Sequence, residues 1–124
     1  TGKTAAFTLP MLHKLTLSEP GKNKFGGKAI RALVLTPTRE LAVQVGGVLE
    51  KLGEPCGIRT VLVFGGRAIS TQENALRRGA QVVVGAPGRV LDLINRGILD
   101  LSKVHYFVLD EADEMLSRGF KQQI

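Results

Sequence analysis

The sequence predicts an α/β fold, a parallel sheet flanked by helices. Three observations point there. Apolar runs of strand length, at residues 31–36, 59–64, 81–85 and 106–109, alternate with stretches of helical spacing. The runs are apolar without alternation, the pattern of strands covered on both faces. Each run gives way to a turn rich in Pro, Gly or acids, and right-handed crossovers put all such turns on one edge of the sheet.

The chain opens on Thr1-Gly2-Lys3-Thr4, the end of the phosphate-loop pattern G-x-x-x-x-G-K-[ST]. In that pattern Gly lets backbone amides curve around phosphate oxygens. Lysine, here Lys3, reaches the β- and γ-phosphates, and the hydroxyl, here Thr4, ligates Mg²⁺. An apolar helix is expected over residues 5–17, its N-terminus turned to the phosphates and Pro10 favouring a kink. Residues 18–27 read as a surface loop.

The strand at 31–36 runs into Pro37-Thr38-Arg39-Glu40 and then a helix with apolar residues at Leu41, Val45, Val48, Leu49 and Leu52. The strand at 59–64 closes on Gly65-Gly66, and a polar-faced helix over 69–78 ends at Gly79. The strand at 81–85 meets Ala86-Pro87-Gly88-Arg89 and a helix carrying Val90, Leu91, Leu93 and Ile94. The run Tyr106-Phe107-Val108-Leu109 reads as a strand buried on both faces, its rings in the core. It ends on Asp110-Glu111-Ala112-Asp113, where a last helix over 111–118 begins. The predicted order is therefore α-β-α-β-α-β-α-β-α. One acid there would be an ordinary helix start. Three, after a buried strand at the ligand-binding edge of an open sheet, point to a metal, a phosphate or an activated water.

The 124 residues form one domain or part of one, with a net charge of +6 that suits a polyanionic partner. The 15 glycines exceed the roughly nine expected at ~7%, and they sit between apolar runs, where turns bring backbone close to a ligand. The single cysteine, Cys56, excludes an intrachain disulfide and a cysteine metal cluster. No run nears a membrane span and no signal peptide is visible, so a cytoplasmic or nuclear location is expected. Aromatics are few, with five Phe, one Tyr and no Trp. Bases therefore lack stacking platforms, and the chain reads as a binder of backbone with little base specificity. His13 and His105 carry no partner pattern.

Two turns share a form: Pro37-Thr38-Arg39 and Pro87-Gly88-Arg89 each place Arg two residues after Pro. Proline suits the first helical position, helix N-terminal amides favour an anion, and Arg is shaped for phosphate. With Gly65-Gly66 as a third close-approach turn, the edge suits a chain of phosphates.

These motifs, in this order, resemble those of the first RecA-like domain of a DEAD-box ATP-dependent RNA helicase, across residues 1–124. Asp110-Glu111-Ala112-Asp113 is the signature that names the family. Pro37-Thr38-Arg39-Glu40-Leu41-Ala42 is similar to motif Ia, Gly65-Gly66 to its Gly doublet, Pro87-Gly88-Arg89 to motif Ib, and Gly2-Lys3-Thr4 to the end of motif I. The resemblance implies a RecA-like P-loop NTPase domain that couples ATP hydrolysis, with Mg²⁺, to RNA binding and local duplex unwinding. It implies nucleotide contacts from Thr1, Gly2, Lys3, Thr4, Asp110 and Glu111, with Lys3, Asp110 and Glu111 catalytic and Glu111 polarising the attacking water. Mg²⁺ would be held by Thr4 and by Asp110 through water. Pro37, Thr38, Arg39, Gly65, Gly66, Pro87, Gly88 and Arg89 would line the RNA backbone, and Asp113 would couple nucleotide state to interdomain contacts.

The resemblance also implies that the first strand and the front of the phosphate loop precede residue 1. A second RecA-like domain, a source of transition-state arginines, would belong to the same protein. Residues 1–124 alone are then expected to turn over no ATP. Motif Ib usually begins with Thr, and Ala86 in its place removes one hydroxyl contact to phosphate. Two other readings fit part of the sequence: another P-loop ATPase acting on DNA, and an RNA-binding module without turnover. The retained Lys3, Asp110 and Glu111 oppose the second, and Pro37–Ala42 with Pro87–Arg89 oppose the first.

Overall fold

A computed structural model describes residues 2–17, 21–22, 27–66 and 68–109, with side chains from residue 10 onward. Its elements run α1 (Gly2–Leu17), β1 (Ala32–Leu35), α2 (Arg39–Gly53), a 3-10 turn (Glu54–Cys56), β2 (Thr60–Val63), α3 (Ile69–Arg78), β3 (Val82–Gly85), α4 (Pro87–Asn95) and β4 (Tyr106–Leu109). The predicted alternation holds through β4. The expected last helix lies outside the described residues. Helix α1 begins three residues earlier than expected, so Gly2-Lys3-Thr4 form its first turn, and Pro10 lies inside it.

The four strands form one parallel sheet in the order β2-β3-β1-β4. Ala32 to Leu35 pair in register with Val82 to Gly85 on one side and with Tyr106 to Leu109 on the other. Thr60 to Val63 pair with the outer side of β3. Alternate strand residues feed two cores. Ala32, Val34, Val82 and Val84 pack with Met11, Leu12 and Leu15 of α1 and with Ala42, Val45 and Leu49 of α2. Leu33, Leu35, Val61, Val63 and Val83 pack with Leu76 of α3 and with Val90 and Leu93 of α4. The sheet is thus covered on both faces, which explains why β1 and β3 read as unbroken apolar runs.

Helix α2 buries Ala42, Val45, Gly46, Leu49 and Gly53. The expected stripe is rotated: Val45 and Leu49 face the sheet as expected, but Ala42, Gly46 and Gly53 are buried beside them while Leu52 is exposed. A methyl at Gly46 would collide with Leu62 of β2, so glycine lets helix and strand approach closely.

The β4 run departs from expectation. Among the described residues it has a neighbour on one side only, β1. Tyr106 and Val108 lean on the α1–α2 core, with Lys14 Nζ 5.9 Å from the Tyr106 ring centroid. Phe107 points to the other face and is 52% exposed, so it is not a core ring. A four-residue apolar run states that a strand is apolar; it does not state how many neighbours the strand has.

Gly85 ends β3 where it meets β2. A Cβ there would run into the Val63 carbonyl oxygen and the Val63 and Val90 side chains. Backbone cannot yield as a side chain can. Gly85→Ala in the full protein is therefore expected to cost about 3 kcal/mol, near the top of the usual range for overpacking. Urea unfolding measures it; an unchanged midpoint would mean that β2 and β3 part without cost.

Candidate functional site

The register fixes where the turns lie. Val63, Gly85, Leu35 and Leu109 stand level across the sheet. The ladder extends one step further, with Thr36 N–H donating to Gly85 O at 3.0 Å and Ala86 N–H to Val63 O at 3.2 Å. The turns after β1, β2 and β3 therefore leave from one edge, as the crossovers require. Leu109, the last described residue, ends β4 at the same level. Asp110, Glu111 and Asp113 follow it in sequence and lie outside the described residues, as does Thr1. Gly2, Lys3 and Thr4 are described only as the first turn of α1, where amide N–H groups lack helical acceptors.

The turn after β1 is built from two threonines. Thr36 is fully buried, and its hydroxyl donates to Thr38 O at 3.2 Å. Thr38 is the N-cap of α2, with extended backbone at φ −133°, and its Oγ1 accepts from Leu41 N–H at 3.2 Å. This side-chain cap sets the helix start after Thr38. Pro37 is thus buried one residue before the cap and is not the first helical residue. The turn after β3 differs. Ala86 offers no side-chain oxygen, and Pro87 occupies the first helical position of α4. The two Pro-x-Arg turns are therefore not alike: Arg39 is the first residue of its helix and Arg89 the third of its own.

The turn after β2 joins them. Gly66 has φ 88°, a left-handed conformation that suits glycine, and a Cβ there would lie 3.0 Å from Arg39 Nη1. The Arg39 guanidinium carbon stands 5.9 Å from the Phe64 ring centroid, close enough for a cation–π contact. On the other side Gln72 of α3 donates through Nε2 to Phe64 O at 2.9 Å and accepts through Oε1 from Arg89 Nη1 at 3.3 Å. Arg39, Phe64, Gly66, Gln72 and Arg89 thus make a continuous strip across three turns. Arg39, Gly65, Gly66 and Gly88 are exposed on it, and Arg89 is half-buried.

Within the strip, the amides of Arg39, Glu40, Gly88 and Arg89 lie in first helical turns, where the helix offers no acceptor. The strip therefore presents two guanidinium groups and two helix N-termini toward one side, a surface that attracts a linear polyanion. Thr38 keeps its O–H as a donor beside it. The sequence missed Gln72. Its one signal was a polar residue at the i+3 position from Ile69 and four before Leu76, on the buried side of α3.

One cavity among the described residues lies elsewhere. About 500 Å³ is lined by Glu50, Glu54, Ile58, Arg59 and Thr60, at the start of β2 and so at the opposite edge of the sheet. Among the described residues no cluster of His, Cys, Asp or Glu could hold a metal, and no helix is long and apolar enough to cross a membrane.

A parallel sheet between helix layers, with cationic turns leaving one edge, is the architecture of the RecA-like class of domains. Within it the particular family follows from comparison. The DEAD/DEAH box helicase model matches residues 1–124, and the chain belongs to that family. It is 49% identical over 124 residues to DEAD-box ATP-dependent RNA helicase 3A of Zea mays, covering all of this chain and 16% of that protein. It is 47% identical over its whole length to eukaryotic initiation factor 4A of Caenorhabditis elegans, covering 29% of that protein. Among solved structures it is similar to the yeast DEAD-box splicing factor Prp28, with a TM-score of 0.88, 30% identity and coverage of 98% of this chain and 28% of that one. A DEAD box protein from Methanococcus jannaschii gives a TM-score of 0.82 at 46% identity, covering 99% of this chain and 31% of that one. The chain thus spans less than a third of each of these relatives.

Proposed function

We propose that the protein to which these residues belong is an ATP-dependent RNA helicase, coupling ATP binding and hydrolysis to local opening of RNA duplexes. The observation that carries the RNA half is the strip Arg39–Gly66–Gln72–Arg89 along one sheet edge. It offers several cationic and amide donors to a phosphodiester backbone and no exposed aromatic platform for bases, so binding reads backbone with little base specificity. The strip alone does not choose between RNA and DNA. The name of the Zea mays relative, an ATP-dependent RNA helicase, supports RNA.

The nucleotide half rests on the first turn of α1 and on the acids after β4. Lys3 would meet the β- and γ-phosphates, and Glu111 would take a proton from the attacking water. Thr4 and Asp110 supply a hydroxyl and a carboxylate, hard oxygen donors that fit Mg²⁺. The ion would neutralise phosphate charge when bound. Asp113 would carry nucleotide state to a second RecA-like domain. A cytoplasmic location belongs to the same reading.

Arg39→Ala and Arg89→Ala test it in the full protein. Each is expected to weaken RNA binding equally on two unrelated sequences, and to lower the magnitude of the slope of log K against log salt by about 0.7 on a single strand. Nucleotide affinity without RNA should stay native. An unchanged slope, or a loss confined to one RNA, would mean that these arginines do not meet the backbone. ATPase stimulated as strongly by DNA as by RNA would remove the choice of RNA.

A further inference from the structure

We propose that Gln72 is a positioning residue for RNA: it holds the Arg89 guanidinium in its phosphate-binding pose and ties that pose to the turn after β2. The inference rests on the reading of Arg89 as a backbone contact.

Gln72 is 3% exposed, and a buried amide must place both its ends. Only one orientation serves its two neighbours. Its NH₂ must face the Phe64 carbonyl, an acceptor, and its oxygen must face Arg89, which can only donate. The Phe64 carbonyl lies directly before Gly65-Gly66, and the Phe64 ring carries Arg39. One side chain on α3 thus connects two arginines on two other helices through the intervening turn.

The geometry explains the choice of residue. An arginine has several rotatable bonds, and fixing it on a phosphate costs rotamer freedom. A neutral acceptor reduces that cost in advance without cancelling the positive charge, as a carboxylate would. Glutamine is neutral, long enough to span Phe64 O and Arg89, and carries both donor and acceptor. Leucine would fill the volume but hold neither end.

The test is a double-mutant cycle in the full protein, with Gln72→Met, Arg89→Ala and the pair. Methionine keeps the unbranched length and removes both hydrogen bonds; Gln72→Ala serves as a second variant. Unfolding temperature and ATP affinity without RNA check that each variant folds. Gln72→Met is expected to weaken binding of a single-stranded RNA about three- to tenfold, the scale of one net hydrogen bond. It should also reduce the salt slope. In the Arg89→Ala background the same change should cost less than about twofold and leave the slope alone. Equal losses in both backgrounds would overturn the proposal, since Gln72 would then merely support the Phe64 carbonyl. A native affinity for both Gln72 variants would overturn it as well. Native RNA binding by Arg89→Ala would instead bring down the reading of Arg89 itself, and the role of Gln72 with it.

Discussion

Glu111→Gln in the full protein is expected to bind ATP at native affinity and to hydrolyse it about 10²–10⁴-fold more slowly, the range for loss of a general base. The reasoning begins with register. Strand β4 ends at Leu109, level with Leu35 of β1, at the edge from which the other turns leave. Asp110 and Glu111 are the next two residues in the chain. Carboxylates following a strand at that edge of a parallel sheet suit phosphate chemistry. Gln keeps the size and hydrogen-bonding reach of Glu but cannot accept a proton. Binding should survive because phosphate affinity is assigned to Lys3 and the first turn of α1. Single-turnover hydrolysis and nucleotide titration separate the two effects. Hydrolysis at the native rate would show that Glu111 is not the base, and lost ATP affinity would show that it acts in binding.

Much of the fold was legible because its causes are local. The limits of α3 are those expected from its flanking glycine and its spacing, and β1 and β3 fall inside their apolar runs. What was not legible depends on partners distant in the chain. Nothing local to Tyr106–Leu109 says that β1 is its neighbour among the described residues, so the exposure of Phe107 was missed. The start of α2 was missed by reading Pro37 as a helix opener, because the Thr38 side chain competes for that role and wins by satisfying Leu41 N–H. Gln72 was missed for a further reason. In sequence it is a polar residue on a polar-faced helix; only the packing of α3 under the turn after β2 places its amide between Phe64 and Arg89. The arginines were found because charge and turn chemistry sit side by side in the chain. The group that holds one of them was not, because hydrogen bonds between helices leave no local trace.

Lys3→Ala in the full protein is expected to weaken ATP binding about 10- to 100-fold. Gly2-Lys3-Thr4 form the first turn of α1, so free amides and the positive end of the helix dipole are present there whatever the side chain. The ammonium adds a charge-assisted hydrogen bond to phosphate, worth about 1.5–3 kcal/mol. At 1.4 kcal/mol per tenfold that gives the stated loss. Residual binding should remain, because the helix N-terminus still favours an anion. Lys3→Arg is expected to recover only part of the affinity, since a planar fork does not replace a compact ammonium reaching between two phosphates. RNA affinity without nucleotide should be native in both variants, because the strip Arg39–Gly66–Gln72–Arg89 is built on other elements. Calorimetric titration with ATP and with a single-stranded RNA measures both quantities. Native ATP affinity in Lys3→Ala would show that the opening turn is not a phosphate loop, and an equal loss of RNA binding would show that the substitution had damaged the domain as a whole.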